Sequence, residues 1–534
     1  MRRGFTQDHG TPNKPVTFLL YSGFTRNIED ALGEPEYSYH FVLNGFRAAL
    51  AEIGSTIVIT SLSEVDATLD MQEEAGAQCV LLCFMPPHQA PISARCPVFC
   101  VFAWEFSNIP DEIFEQDPRS DWRRVFACHG RAISLSEHAA RLVREAMGAG
   151  FPVFAIAVPL PERLLRLGQR DNEALSGTIA IRGSLYDTRA HGPYPEQPVW
   201  TPPSIPSPAP EPIEASVADG PTEASSAAQP PAAPSRLRVS FGVSRYYALM
   251  WYRDAVRTLL PSVVTRMIST VGRFYTRVRL VLKPPVSGPP KDTTAPEPAL
   301  PIMPPEDAPV AGIKSVEPLQ RVALFGVVYT AVFNPKDGRK NWHDMLTAFC
   351  WAFRDNPDVT LVMKMAHHDR STFEGMLALL LERLQPFRCR IITLHGWLDD
   401  DEYDALIRAT DYYVNTSSCE GLCLPLMEFM SAARPAIAPD HTAMADYINE
   451  DNAFVLSYGT EYNVWPHDPR DLFRTMRHRL EWDSLVDAYR ASHRIRLDDP
   501  ARYAAMGRAA RQVMRETCSV PVVRAKLDQA IRQA

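Results

Sequence analysis

Beyond residue 320 the chain alternates between two hydrophobic patterns. "RVALFGVVY" is a short continuous apolar run, while "WHDMLTAFCWAF" sets Trp342, Met345, Leu346, Phe349 and Phe353 at i, i+3, i+4, i+7 and i+11. The first predicts a buried strand and the second an amphipathic helix packed on it. The series continues with "VTLVMKM", "STFEGMLALLLERL", "RIITLHG", "DEYDALIRAT", "DYYVNT", "LPLMEFMSAA" and "PAIAP", strand and helix in turn. Strands separated by helices of this length imply right-handed crossovers and a parallel, Rossmann-like sheet. The first part of the chain repeats the theme less regularly. "VTFLLYSG", "STIVITSL", "QCVLLCFM", "CPVFCVFAW", "RAISLS" and "PVFAIAVP" are expected strands. "YHFVLNGFRAALAEIG" and "SEHAARLVREAM" are expected helices, the latter with Ser136 as N-cap. Two such domains place a ligand in the cleft at the carboxyl ends of their strands.

Proline separates the blocks. Of 47 prolines many fall between about 187 and 235 and between 283 and 309, among Ala, Ser and Glu. Such stretches bury too little apolar surface to offset the entropy of ordering, and read as extended linkers. Between them, residues 236–283 carry ten Arg or Lys and one acidic residue, Asp254. The domain reading is 1–183, an N-terminal Rossmann-like acceptor domain; 184–315, an insertion of linkers around the basic segment; 316–500, a C-terminal donor domain; and 501–534, terminal helices packing across both.

The net charge of −8 gives no reason to expect nucleic-acid binding. The start "MRRGFTQDHG" lacks an apolar signal core, and no apolar run reaches about 18 residues. Ten cysteines without a CxxC pair read as reduced core thiols. Together these place the expected protein in the cytoplasm.

The chemistry concentrates in "SSCEGLCLPLMEFMSAARPAIAPD", residues 417–440. Pro425 suits the first helical position, which puts Glu428 in the first turn and Glu420 in the preceding loop. Both carboxylates then face one cleft beside the backbone N–H groups of a helix start. Helix starts bind phosphate and carboxylates hold hydroxyls, so a ligand carrying phosphates and a polyol fits. The residues alone leave open that Glu428 only complements the helix dipole and Glu420 is a solvated turn residue.

Residues 417–440 resemble the signature of the retaining, two-domain GT-B nucleotide-sugar glycosyltransferases, the glycosyl transferases group 1 family. The match lies in Glu420, Gly421, Pro425, Glu428, Arg434 and Pro435, with Ala433 where the family often has Gly. The resemblance implies that Glu420 and the backbone of Gly421, Leu422, Cys423 and Leu424 contact the donor sugar, and that Glu428 binds the ribose hydroxyls. It makes "NPKDGRKNW" the loop for the donor diphosphate, with Lys340 and Arg339 as its cations and Asn334 where an Arg is usual. Lys364 and Gly396, at the next two strand ends, are expected around the base and phosphates. On the acceptor side it points to Gly23, Trp104, Glu105 and His129, with Trp104 either stacking on a sugar or structural.

The implied reaction moves a sugar from a UDP- or GDP-sugar to a hydroxyl of a glycan or lipid-linked saccharide, with retention by front-face displacement. No cofactor or metal is implied, and Asp399–Asp401 read as helix-capping residues. A catalytically idle GT-B scaffold and a sugar-nucleotide epimerase remain alternatives. Residues 236–283 set Arg253, Arg257, Arg273 and Arg277 among aromatic and aliphatic residues, which suits a helix on an anionic membrane surface or an acidic protein face. The expected location is therefore cytoplasmic, peripheral on the inner face of the membrane.

Overall fold

The computed structural model describes residues 15–23, 37–167 apart from 115, 176–191 apart from 182, residue 248, and 319–533 apart from 368, 369, 467, 469 and 471. The chain divides into two units. The first comprises 1–202, 318–370 and 378–534, and the second comprises 203–317 with 371–377. The basic segment 236–283 lies outside the described residues except for Ala248.

The N-terminal sheet is built from β1 (Val16–Ser22), β2 (Ser55–Ile59), β3 (Gln78–Phe84), β4 (Val98–Phe102), β5 (Ala132–Ser134) and β6 (Val153–Ala155). They lie in the order β2-β1-β3-β4-β5-β6, every pair parallel. The next strands are β7 (Ser176–Ile181), β8 (Ser184–Asp187), β9 (Gln320–Phe325), β10 (Val327–Phe333), β11 (Val359–Met365) and β12 (Arg390–His395). They are followed by β13 (Tyr412–Val414), β14 (Ala436–Ala438) and β15 (Ala453–Val455). The second sheet runs β15-β14-β13-β10-β11-β12-β8, parallel except for β8. Continuous apolar runs form strands here because helices cover both faces, as parallel sheets require. Trp342, Met345, Leu346 and Phe349 of helix Trp342–Ala352 are all at most 2% exposed. Each such side chain contributes roughly 1.5–3 kcal/mol, enough to set the helix on its sheet.

Three details depart from the sequence reading. "RVALFGVVY" is two strands, broken at Gly326, whose φ is +70° and where a Cβ would lie 1.9 Å from the Asp358 carbonyl oxygen. β9 consequently leaves the main sheet and pairs antiparallel with β7. Residues 184–187, read as the start of the insertion, form edge strand β8, and a buried Arg390–Asp187 ion pair at 2.6 Å holds it to β12. The stretch after β15, for which no element was expected, forms an antiparallel hairpin of β16 (Tyr458–Val464) and β17 (Arg474–Leu480).

Helix Val520–Arg532 packs on helix Ser38–Ala51 of the first domain, and helix Pro500–Cys518 packs on Leu424–Ser431 of the second. The Leu160 amide donates to the Cys518 carbonyl at 2.9 Å. The terminal helices therefore touch both domains. No described helix is long and apolar enough to cross a membrane. All ten cysteines are free, and only Cys96 and Cys128 are not buried.

Candidate active site

The loops that follow β10, β13 and β14 meet at the carboxyl edge of the second sheet. Asp337 caps the short turn Gly338–Lys340, Asn341 takes φ +49°, and helix Trp342–Ala352 follows. The Thr416 hydroxyl donates to the Lys340 carbonyl at 2.9 Å, and the Ser418 amide donates to the Arg339 carbonyl at 2.8 Å. The loop after β13 is thus stitched to the loop after β10.

Glu420 sits at the junction and is 2% exposed. Its Oε1 accepts from Lys340 Nζ and from the Ser417 hydroxyl, each at 2.6 Å, and its Oε2 accepts from Arg339 Nη1 at 2.8 Å. Its amide donates to the Thr442 hydroxyl at 3.0 Å. Burial works against the charge of Glu420, but Lys340 and Arg339 outweigh it and hold the carboxyl well below the usual range. Arg339 also bonds the Cys419 carbonyl at 2.9 Å and pairs with Asp337 at 2.8 Å. Burial opposes its charge too, and Asp337, Glu420 and Glu105 more than compensate. Arg339 is therefore committed to protein carboxylates, while Lys340 has one carboxylate partner.

Glu420 passes directly into the start of helix Leu424–Ser431. Cys423, at φ +62°, is the N-cap and Leu424 the first helical residue, so Pro425 stands second and Glu428 falls in the second turn, not the first. The amides of Gly421, Leu422, Cys423 and Leu424 make no hydrogen bond to the described residues. Four consecutive unpaired donors at a helix start form a concavity suited to an anion. Backbone strain collects around it: of the five non-glycine residues at positive φ among the described residues, Asn341, Cys423 and Thr442 line these loops. For a β-branched residue such as Thr442 this conformation is a genuine outlier, and such strain gathers at functional sites.

Lys364 and Glu428 flank this centre. Lys364, near the end of β11, is 6% exposed, and its ammonium has no side-chain partner among the described residues. Burial lowers its pKa to about 8. The Tyr403 hydroxyl donates to Glu428 Oε2 at 2.7 Å. Burial raises Glu428 to about 7, against the hydrogen bond from Tyr403 and the charge of Arg163. Burial and the charge of Glu428 push Tyr37, at the start of the first domain's first helix, up to about 12. Gly396 follows β12 at φ +120°, and beside it Trp397 stacks on Phe41 of that same helix at 6.0 Å.

The carboxyl edge of the first sheet closes against this centre. A Cβ on Gly421 would stand 3.0 Å from the Ala103 Cβ and the Trp104 amide, and 3.3 Å from Glu105 Oε2. Only glycine permits that approach without displacement. Glu105 Oε1 lies 3.6 Å from Arg339 Nε. Of the residues expected on the acceptor side, Glu105 thus joins the centre.

The others do not. Trp104 is 5% exposed, packed on Trp122 at 4.4 Å, Phe106 at 5.0 Å and Trp465 at 5.7 Å, with its Nε1 donating to the Asn108 carbonyl. It is a core residue, because the segment after β4 turns inward. His129 ends helix Trp122–His129 just before β5 begins, at the amino edge of the sheet, and contacts the Pro91 carbonyl. It is therefore at the edge away from the cleft. Gly23 is exposed with nothing within 4 Å of a Cβ built on it. Asp399 and Glu402 form a reciprocal capping box, the role read for that acidic run. Sequence reasoning missed Ser417, Thr442, Tyr403 and Asp337, small or ordinary polar residues; Thr442 and Tyr403 reach Glu420 and Glu428 from distant parts of the chain, while Ser417 and Asp337 stand within three residues of Glu420 and Arg339.

Two parallel-sheet domains joined carboxyl edge to carboxyl edge, with an ion-paired loop and an open helix start between them, define the GT-B architecture. Residues 327–481 match the family model described as "Glycosyl transferases group 1", and this stretch carries Lys340, Lys364, Glu420 and Glu428. It is a glycosyl transferases group 1 domain, and the chain is a glycosyltransferase. No curated protein matches the chain. Among solved structures it is similar to Anabaena HepE in complex with UDP, at 11% identity and TM-score 0.47, over 97% of this chain and all of that one. It is also similar to sucrose-phosphate synthase from Thermosynechococcus elongatus, at 12% identity and TM-score 0.44, over 97% of this chain and 99% of that one. Likenesses this distant carry nothing about what this chain binds.

Proposed function

We propose that the chain transfers a sugar, with retention, from a uridine or guanosine diphosphate sugar to a hydroxyl of a glycan or lipid-linked saccharide. The observation that carries this reading is the juxtaposition at residues 420–424: a carboxylate held by two cations, continuous with four unpaired amides at a helix start. The amides and Lys340 meet the leaving diphosphate. Lys364, a buried cation without a counter-charge among the described residues, gains one when the nucleotide binds. Glu428 takes the ribose hydroxyls.

Both oxygens of Glu420 are engaged by cations and a hydroxyl. This makes it a poor nucleophile and a good clamp for sugar hydroxyls. Front-face displacement fits that arrangement. The bond from the anomeric carbon to the phosphate oxygen breaks, the acceptor oxygen bonds the same face, and the acceptor's proton passes to the departing phosphate. The protein supplies electrostatic stabilisation of that phosphate and excludes water between the two edges. Arg339, tied to Asp337, Glu420 and Glu105, positions Glu420 and is not spent on phosphate. No bound metal is needed where the amides and Lys340 hold the diphosphate.

Thermal shift with UDP, GDP and ADP on the wild type and on Glu428→Ala tests the reading. One nucleotide should raise the Tm, and the substitution should shrink that rise. A chain that ignores all three is a scaffold and not a nucleotide-sugar enzyme. The cytoplasmic, membrane-peripheral location belongs to the same proposal, with residues 236–283 as the contact to anionic lipid.

A further inference from the structure

The hairpin of β16 and β17 extends from the second domain onto the first. The Ser107 amide donates to the Thr475 hydroxyl at 3.1 Å, the Met476 amide to the Ser107 hydroxyl at 2.8 Å, and Asn108 Nδ2 to the Arg474 carbonyl at 3.1 Å. Further along the same edge, the His478 amide donates to the Ser418 carbonyl at 3.0 Å. The free edge of β17 therefore borders first the segment after β4 and then the loop that ends in Glu420.

Alternation along β17 puts Thr475 and Arg477 on one face of the strand, and Thr475 is turned to Ser107 of the first domain. Arg477 thus projects beside the Glu420 loop, and its charge reaches the Cys419 thiol, which burial pushes up to about 12. Among the described residues Arg477 makes no side-chain hydrogen bond or ion pair, and its Nε is buried without a partner. Glu461 stands directly opposite it in the ladder, exposed, and yet the two do not pair. A cross-strand carboxylate is the cheapest partner a strand arginine can find. Here Arg477 does without it and stands unpaired beside the Glu420 loop.

From this the geometry points to an anion subsite at Arg477, which takes a carboxylate or phosphate on the saccharide that is transferred or extended. The inference rests on the transferase reading and narrows its substrate class to acidic saccharides. A guanidinium binds such groups through two parallel hydrogen bonds, and half-burial keeps water from competing.

The test uses the full chain loaded with UDP and, in parallel, unliganded, with glucuronate, inorganic phosphate and glucose as probes. Wild type should bind glucuronate or phosphate and not glucose. R477Q should lose at least about tenfold in that affinity, R477K should recover part of it, and R474Q, on the opposite face of the same strand, should lose little. UDP affinity should be the same in all four. Comparing UDP-glucuronate with UDP-glucose then locates the anion. A preference that disappears in R477Q puts it on the donor sugar, and equal affinities with anion binding retained beside UDP put it on the acceptor. Anion binding indifferent to Arg477 overturns the inference, as does loss of UDP affinity in R477Q by the same factor. Failure of every form to bind UDP sinks the transferase reading instead, and the unliganded arm still decides the subsite.

Discussion

Glu420 lies among charges that would be costly apart. Replacing it with Gln leaves the Arg339 and Lys340 cations without their central anion in a buried setting, which costs about 3 kcal/mol. Glu420→Gln should therefore lower the Tm by several degrees and cut transfer at least a hundredfold, and bound UDP should recover more Tm in the variant than in the wild type. Lys364 is the reverse case, a buried cation without a side-chain partner among the described residues. Its folded pKa is about 8 against an ordinary 10.5, so the unfolded chain binds the extra proton between those values and stability rises with pH there. Below pH 8 the buried charge costs about 3 kcal/mol. Lys364→Met should stabilise the unliganded protein at pH 7 by that order, flatten the rise between pH 8 and 10.5, and abolish the UDP-induced shift. Glu428, raised to about 7, has the opposite linkage: its contribution to stability is full below the ordinary carboxylate range and is lost as pH rises through 7. Only the ionised form accepts both ribose hydroxyls, so nucleotide affinity should climb up to about tenfold through pH 7. Glu428→Gln should give a flat profile by calorimetry.

At the scale of elements, the turn after helix Leu424–Ser431 holds Ala433 at φ +59°, where the family often has Gly. A Cβ in that region costs about 1–2 kcal/mol, part of which glycine returns as unfolded-state entropy. Ala433→Gly should stabilise the chain by about 0.5 kcal/mol, read from chemical denaturation, with transfer unchanged. The hairpin depends on a different device. Its hold on the first domain runs through Ser107 and Thr475, with Trp465 packed on Trp104 and Phe114 behind them. Thr475→Val removes the acceptor for the Ser107 amide. Hydrogen exchange should quicken in both 104–108 and 474–478 and leave β10 to β13 unaffected.

For the whole molecule, the two carboxyl edges are held together by several kinds of contact. Glu105 approaches Arg339 across the cleft, Gly421 admits the backbone of Ala103 and Trp104, Phe41 stacks on Trp397, and the terminal helices clasp both domains. The long insertion is where the proposed membrane contact resides. Vesicles containing anionic lipid should retain the full chain and release a 236–283 deletion, with both forms responding equally to UDP. Equal retention of the two forms would remove the membrane proposal.

The local periods were enough to read the α/β class, the parallel strands, the Ser136 cap and the acidic capping run, because each depends on neighbours within one turn or one strand. The Glu-rich loop and its Lys340 partner were legible as residue types at fixed spacing. The break at Gly326 was not, since the reason for it is the carbonyl of Asp358, a contact that no pattern within the strand encodes. Nor was the split among Trp104, Glu105 and His129. Trp104 and Glu105 stood side by side in one stretch and His129 in another, and only the turn after β4 sent the indole to the core and the carboxylate to Arg339. The sequence by itself determined which elements form and which charged residues sit at strand ends. Tertiary structure decided which of those charges meet, because pairing depends on loops from distant strands converging on one sheet edge. It is that convergence that leaves Lys364, Arg477 and the amides of 421–424 without partners among the described residues.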